Sequence, residues 1–409
     1  MKISNTALLS GYFTYAGTPS EADGWTRVTH TPEDEALLQN FYFPEFVNFS
    51  LHLVSRYDLL LGKTVSVVLR DGTKVPLRVH GVRLFCMPCS ICVYSIKVRF
   101  EDLEMDKVTG ALGLLRSCCF WDMAQVGGFV DAVIAPVQRV YKALGGTAEP
   151  VGDNYTHLVE NGNKLKIFQI VTSPDLPADR EKRDLVLYSA ATVSPLELKA
   201  PFSTDPLYYQ KLMEEHRLGV FSSWTAMTLL DTVTFLANEV SPFQKDVWLS
   251  DYFGKIYVYE LFRKSFLYHH NQCFRVGTKS PVVLQDELVS FERHYTFTAI
   301  SYNFLPCDVA EAIAHGLDVA KEEESLRSIV SQEVTAREEE SSGNQEKFLL
   351  FLTCMAAGSA VWDITCLLDE LINYEETFKV ANFGYRIFTI LLFILIIIVA
   401  WRSVRKKKK

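Results

Sequence analysis

The chain has 409 residues, of which 48% are hydrophobic and 12% aromatic, and it carries a formal net charge of −8. This length allows two or three domains, and the apolar content excludes a mainly disordered protein. The last eight residues contribute +6 and leave −14 for the rest of the chain, which argues against direct nucleic-acid binding.

The N-terminus, MKISNTALLSGYF, has no long apolar segment followed by a small-residue cleavage site. We therefore expect no signal peptide and a body that stays in the cytoplasm. In that compartment the nine cysteines are expected to be reduced thiols rather than a disulfide framework.

Residues 1–195 alternate strand and helix patterns, which predicts an N-terminal α/β cytoplasmic domain. Asp71-Gly72 is a turn signal between two apolar segments, and Asn161-Gly162-Asn163 is another, so each predicts a hairpin. The predicted strands are 65–70, 75–82, 91–100, 155–159, 164–171 and 184–192, and the predicted helices are 107–119 and 127–144.

Residues 196–305 predict a helical cytoplasmic region, because their apolar residues recur at helical spacing with few turn signals. The predicted helices are 207–217, 222–238, 245–271 and 281–304. The third is dense in aromatic side chains and is therefore expected to be buried between neighbours.

Residues 306–346 predict a stalk helix that begins after Pro306, with Asp308 as its N-cap. Its thin apolar stripe is typical of a coiled-coil-like seam and consists of Val309, Ile313, Leu317, Ala320, Leu326, Ile329 or Val330, and Val334. The acidic runs 322–324 and 338–340 flank this seam. Around a symmetry axis they would attract cations, or they form an ordinary solvated helix face.

Two apolar segments near the C-terminus predict membrane helices, because about 20 apolar residues cross a bilayer. The predicted order is a first membrane helix at 347–372, an external loop at 373–382, a second membrane helix at 383–401 and a basic cytoplasmic tail at 402–409. The loop is mostly acidic, whereas basic residues flank the pair. This asymmetry predicts a multi-pass protein of the cell inner membrane with both termini in the cytoplasm.

The two membrane segments differ in composition. The second is nearly pure Ile, Leu, Phe and Val, as in a lipid-facing helix, whereas the first carries small and polar residues and one charge. The candidate pore-lining residues are Asn344, Thr353, Ser359, Asp363 and Glu370. Acidic rings at the last two positions would favour cations. In the alternative interpretation Asp363 is hydrated near the helix end, and the hydroxyls bond back to the helix.

Four residues of the soluble region are candidates for binding a nucleotide. Trp224 could stack on a base, Asp231 could accept bonds from a ribose, and Arg263 and Arg275 could contact phosphates. The competing interpretation is an ordinary helix whose Trp belongs to the core. We find no phosphate loop, no Ser-His-Asp order and no metalloprotease motif, so an enzyme is not expected.

Cys86, Cys89 and Cys92 have the spacing of a weak metal site, with His80 near in sequence. Cys118 or Cys119 could supply a fourth ligand. The string leads into an apolar strand, however, and buried free cysteines behave as small hydrophobes, so core packing is the alternative.

The arrangement of residues 284–409 resembles the CorA family of divalent-cation channels and transporters. The resemblance rests on the stalk, on residues 344–353 at the entry to the first membrane helix, on Phe383-Gly384-Tyr385, and on the basic tail. It implies a homopentamer with a cytoplasmic α/β domain, long helices and a two-helix membrane region. The family's Gly-Met-Asn signature is absent, and residues 369–374 stand in its place.

Divergent CorA-like proteins act as membrane effectors of type III CRISPR antiviral defence. The resemblance to that group implies a channel gated by a nucleotide second messenger made from S-adenosylmethionine and ATP. Two alternatives stay open: a transporter of Mg²⁺ or another divalent cation, and a membrane-anchored scaffold protein without a pore. The expected partners are the lipid bilayer, further copies of the chain and a small nucleotide.

Overall fold

The computed structural model describes residues 1–18, 24–117, 123–144, 164–196 and 204–372. Its contacts divide the chain into two units, Met1–Arg327 and Ser328–Lys409. An α/β sheet domain is followed by helices, as predicted, and one long helix is apolar enough to be a membrane candidate.

In the described part of the chain, nine strands form one sheet in the order β2-β3-β4-β5-β1-β6-β9-β8-β7. The strands are β1 (Lys2–Thr14), β2 (Thr26–Arg27), β3 (Ser55–Val68), β4 (Lys74–Cys86), β5 (Ile91–Glu104), β6 (Lys166–Thr172), β7 (Arg217–Phe221), β8 (Trp224–Thr228) and β9 (Thr232–Ala237). Neighbouring strands are antiparallel except β6 and β9, which run parallel. The predicted β3–β4 hairpin and strand β5 are confirmed.

Helices precede, separate and follow the strands along the chain. They are α1 (Pro32–Gln39), α2 (Pro44–Asn48), α3 (Met105–Arg116), α4 (Met123–Phe129), α5 (Ala135–Ala143), α6 (Arg180–Thr192), α7 (Pro206–His216), α8 (Pro242–Ser250), α9 (Phe253–Val276), α10 (Pro281–Tyr295), α11 (Phe304–Gly316) and α12 (Val319–Ile372). The aromatic helix α9 is buried as predicted, with Tyr257 and Phe262 fully enclosed.

The predicted helix over 222–238 is wrong, because β8 and β9 form a hairpin there. Every residue of both strands is buried. A fully buried strand has no alternating polar face, so its apolar run resembles that of a buried helix. The Thr and Val residues of these segments favour strands, and the Leu229 amide donates to the Thr232 carbonyl at 2.7 Å to close the turn.

The predicted strand over 184–192 is also wrong, because helix α6 covers it. Asp179 caps this helix by accepting a hydrogen bond from the Lys182 amide, as an N-cap residue does. Val193 ends it in the left-handed conformation. The first strand of the predicted hairpin that contains β6, residues 155–159, lies outside the described residues.

The stalk is two helices rather than one. Asp318 adopts a left-handed conformation between α11 and α12, with φ of 55°. At Gly316 an added Cβ would lie 2.7 Å from the Thr228 side chain, so glycine permits α11 to approach β8. Six of the predicted seam residues are buried, namely Val309, Ile313, Leu317, Leu326, Val330 and Val334. Ala320 is exposed instead, because the break moves Val319 into the buried position.

Candidate ligand cleft and candidate membrane helix

A cleft lies at the carboxyl ends of the two parallel strands. Thr172, the last residue of β6, pairs with Ala237, the last residue of β9. The polar segments that follow these strands form much of the wall of a cavity of about 440 Å³. Ligands of open α/β sheets bind at this end of parallel strands. The principal polar lining residues are Lys2, Thr172, Asp175, Asn238, Ser241 and Lys245.

Lys245 is the central cation of the cleft. Its Nζ donates to Thr172 Oγ1 at 2.9 Å. Burial and the positive charge of Arg99 lower the pKa of Lys245. Among the described residues no carboxylate lies within 4.0 Å of this ammonium group. The cleft therefore holds a cation that is free to meet an anionic ligand.

The N-terminus of α8 adds to the positive character of the cleft. Ser241 caps the helix, and its Oγ accepts a hydrogen bond from the Gln244 amide at 3.1 Å. The first turn of a helix carries a partial positive charge. Asn238 is held at the cleft wall because its Oδ1 accepts from Arg183 at 2.6 Å. These contacts give the loop after β9 a defined shape.

The rim of the cleft is acidic. Asp102 forms an exposed ion pair with Lys2 at 3.0 Å. Asp175 and Glu239 also line the cavity. Carboxylates accept hydrogen bonds from hydroxyl and amino groups, whereas the cation and helix terminus attract phosphate. This combination suits a ligand that carries both kinds of group.

The four predicted nucleotide-binding residues do not form one site. Trp224 is 4% exposed and packs among aromatic rings, including Phe253 and Trp248. Asp231 precedes β9 at the other end of the β8–β9 hairpin, where Lys166 Nζ contacts it at 2.6 Å. Five strand residues separate the two ends by about 17 Å. A stacking role for Trp224 is therefore replaced by core packing.

The two arginine candidates lie on α9. Arg263 forms ion pairs with Glu260 at 3.0 Å and with Glu323 at 3.2 Å. Arg275 is exposed near the end of the helix, where its Nε donates to Asn271 at 3.1 Å. Three turns of helix separate the two side chains, so they do not converge on one phosphate.

The predicted cysteine metal site does not converge either. Cys86 and Cys92 pair across β4 and β5 in the core, with their sulfur atoms 4.0 Å apart. Burial raises the pKa of the Cys92 thiol, which opposes the thiolate form that binds zinc. Cys89 is exposed on the turn. Among the described residues no three ligand-type side chains cluster as a metal would require, and Cys118 and Cys119 lie outside those residues.

Helix α12 contains the candidate membrane span. Within Val319–Ile364, an 18-residue window has a mean hydropathy of 1.4 and none of it is buried, so by length and composition it could cross a membrane. Its exposed apolar side chains are Phe348, Leu349, Phe351, Leu352, Met355, Trp362, Ile364 and Leu367. Water is an unfavourable neighbour for so many apolar side chains together.

The polar residues predicted to line a pore lie on this same helix. Thr353 is exposed and its Oγ1 donates to the Leu349 carbonyl at 2.8 Å. Ser359 and Asp363 are also exposed. The side chains of Asn344 and Glu370 lie outside the described residues, as do the predicted external loop, second membrane helix and basic tail. The hydrogen bond from the Thr353 hydroxyl to the Leu349 carbonyl is compatible with a pore-lining face, and also with the alternative in which the hydroxyls only bond back to their own helix.

Sequence reasoning missed the cleft residues. Thr172, Asn238 and Lys245 come from separate segments, and the helix wrongly predicted over β9 concealed the parallel pair. The available signal was the change from apolar strand to polar residues after Thr172 and after Ala237. No protein-family model matches this chain, and no curated protein matches it either.

Proposed function

We propose that this protein is a CorA-like oligomeric membrane channel, gated by a nucleotide ligand bound to its α/β domain. The observation that carries the proposal is helix α12, which is buried along one face near its start and bears exposed apolar residues near its end. A single helix of this kind would connect the folded domain with the membrane and could transmit movement from one to the other. A helix that served only as a membrane anchor would not need to pack its first turns against the folded domain.

The membrane part of the proposal extends beyond the described residues. Residues 347–372 would span about 39 Å as a helix, enough for the roughly 30 Å hydrocarbon core. The apolar segment 383–401 would return the chain to the side of its basic tail. This gives a multi-pass protein of the inner membrane with both termini in the cytoplasm.

The pore itself is proposed from the polar residues of α12. Thr353, Ser359 and Asp363 are exposed in the single chain, and in a homopentamer they would face a shared axis. A ring of carboxylates would favour cations. Divalent-cation transport uses the same arrangement and is the alternative, whereas a scaffold without a pore predicts no ion flux.

The ligand is proposed to be a nucleotide built from S-adenosylmethionine and ATP, as the CorA-like effector group suggests. The cleft supports this class because its 440 Å³ admits a nucleoside-sized molecule. Lys245 and the N-terminus of α8 would attract the phosphate groups of the nucleotide, and the rim carboxylates would accept hydrogen bonds from its hydroxyl and amino groups. The protein would act as a defence effector by altering ion flow across the membrane.

The test is ion flux through proteoliposomes that contain the full chain, with and without the candidate nucleotide. We expect nucleotide-dependent flux in the wild type, loss of the nucleotide response in Lys245→Met, and altered ion selectivity in Asp363→Asn. Lys166→Met is the matched control, because it removes a half-buried lysine at the start of β6, whereas Lys245 contacts Thr172 at the other end of that strand.

Three outcomes contradict the proposal. Absence of flux from a protein that is monomeric by native mass favours the scaffold. Flux that requires only Mg²⁺ and ignores nucleotide favours the transporter. Loss of the response in Lys166→Met, with Lys245→Met unaffected, places the ligand at the Asp231 end of the sheet.

A further inference from the structure

Two cations meet in a second, much smaller pocket of the α/β domain. Arg83 of β4 and Lys255 of α9 both line it. Its cavity volume is about 30 Å³. The other polar or small lining residues are Ser50, Ser95, Ser250, Gly254 and Tyr259. None of these residues lines the larger cleft.

Neither cation has a carboxylate partner among the described residues. Arg83 Nη1 donates to the Ser250 hydroxyl at 3.0 Å. In the part of the chain that the structure describes, Lys255 Nζ makes no hydrogen bond or ion pair. The contrast is with Arg56, whose guanidinium holds Asp58 at 2.8 and 2.5 Å. Withdrawing unpaired charges from water is unfavourable, so a pocket that keeps two of them is suited to an anion.

Burial and neighbouring charges act on both cations of the pocket. Burial, reinforced by Arg56, lowers the pKa of Arg83 to about 10 and that of Lys255 to about 8. The carboxylates of Asp58, Asp251 and Asp246 oppose the shift of Arg83. Asp251 and, more weakly, Asp34 oppose the shift of Lys255. The guanidinium of Arg83 keeps its charge at neutral pH, and this charge is one of the causes that lower the pKa of Lys255. A bound anion would relieve this repulsion.

The start of helix α9 points to the same ligand class. Tyr252 occupies the N-cap position and provides no side-chain hydrogen bond to the first turn. Gly254 lies so close to Leu249 that an added Cβ would be 1.9 Å from its carbonyl oxygen. The first turn of a 24-residue helix therefore borders the pocket without a capping side chain, and such a terminus attracts anions.

We propose that this pocket binds a single phosphoryl group between Arg83 and Lys255. A cavity of this size holds about two water molecules or one small oxyanion, and excludes a nucleoside. The bound group is inorganic phosphate or the exposed phosphate of a lipid headgroup. The inference concerns a different cavity from the nucleotide cleft and does not rest on the proposed channel function.

The test measures thermal unfolding and phosphate titration of the full chain in detergent, at constant ionic strength with chloride as the reference anion. Inorganic phosphate should raise the Tm of the wild type. Lys255→Met and Arg83→Gln should each weaken phosphate affinity about tenfold or more, because each removes a charge-assisted hydrogen bond. Lys166→Met, which removes a paired half-buried lysine, should leave phosphate affinity unchanged.

Lys255→Met has a second expected signature. Without phosphate its Tm should exceed that of the wild type, since the substitution removes an unpaired cation from the pocket. A variant that is both more stable and insensitive to phosphate cannot be explained as a folding defect. If Arg83→Gln fails to fold, Ser250→Ala replaces it, because it removes only the hydroxyl that holds Arg83.

Comparing inorganic phosphate in detergent with phosphatidate in nanodiscs distinguishes the two sources of the phosphoryl group. Stabilisation by inorganic phosphate supports a free ligand, and stabilisation only in nanodiscs that contain phosphatidate supports a lipid headgroup; either retains the phosphoryl site. The proposal is overturned if neither phosphate source stabilises the wild type more than chloride does. Equal stabilisation of the wild type and Lys255→Met would overturn it as well.

Discussion

Helices α9 and α12 are both rich in apolar side chains, yet only α9 is covered. Phe262 of α9 is 0% exposed, whereas Trp362 of α12 is 71% exposed. The sheet and neighbouring helices enclose α9. In the described part of the chain, no element covers the apolar surface of α12 around Trp362. Composition alone therefore does not separate a core helix from a candidate membrane helix, whereas the cover supplied by the fold distinguishes α9 from α12.

The largest effect on the free energy of unfolding should come from truncating a buried aromatic side chain of α9. Phe262→Ala is expected to lower the free energy of unfolding by about 3–5 kcal/mol, because it leaves a cavity in a packed core. Trp362→Ala, the matched truncation on α12, should leave the unfolding of the α/β domain unchanged. Chemical denaturation of both variants in the same detergent measures the difference. Equal destabilisation would mean that Trp362 is covered in the native protein.

A smaller effect is expected where α9 begins. Gly254→Ala places a Cβ against the Leu249 carbonyl oxygen and should destabilise the domain by about 1–3 kcal/mol. Gly128→Ala, in helix α4 with nothing within 4 Å of the added Cβ, is the control. It should stabilise the protein by about 0.5–1 kcal/mol, as alanine favours helices. Opposite signs in thermal unfolding confirm the close approach, and a neutral Gly254→Ala contradicts it.

The third effect is a pH dependence of the free energy of unfolding, and it comes from Glu260, a buried carboxyl group of α9. Glu260 is 2% exposed, and burial outweighs the attraction of Arg263 and raises its pKa to about 7. Between the unfolded value near 4.5 and pH 7, the folded protein binds more protons at this group than the unfolded chain does. The free energy of unfolding contributed by Glu260 is therefore highest at the acidic end and falls as the pH rises toward 7.

Glu260→Gln should remove that contribution. The difference in unfolding free energy between wild type and variant should therefore shift in favour of the variant from pH 5 to pH 7.5. Denaturation at several pH values measures it. Glu333→Gln on α12, where the carboxylate is 45% exposed, is the control. A difference that stays constant with pH for Glu260→Gln would show that this carboxylate is ionised throughout the range.

The sequence predicts the elements whose pattern is local. Alternation around the Asp71-Gly72 turn is enough for β3 and β4, and aromatic density is enough for the burial of α9. It does not predict β8 and β9, because strands buried on both faces lack alternation. Helix α6 was hidden for a related reason, since its apolar run resembles a strand unless the Asp179 cap is recognised.

The candidate sites were harder to predict than the elements. Trp224 and Asp231 are close in sequence but lie at opposite ends of a hairpin, so proximity along the chain misleads. The cleft residues Thr172, Asn238 and Lys245 come together only through the pairing of β6 with β9. That pairing is a tertiary contact, and no local pattern records it. The candidate membrane span of α12 was predictable because length and composition alone make a helix a candidate.

The most direct measurement is the accessibility of spin labels along residues 348–362 of α12 in proteoliposomes. We expect high oxygen accessibility and low accessibility to a water-soluble nickel reagent on the apolar face, repeating every 3.6 residues. A label at Ser328 should show the reverse. Uniform access of the nickel reagent along the whole segment would contradict insertion of α12 into the bilayer, and with it the proposed channel.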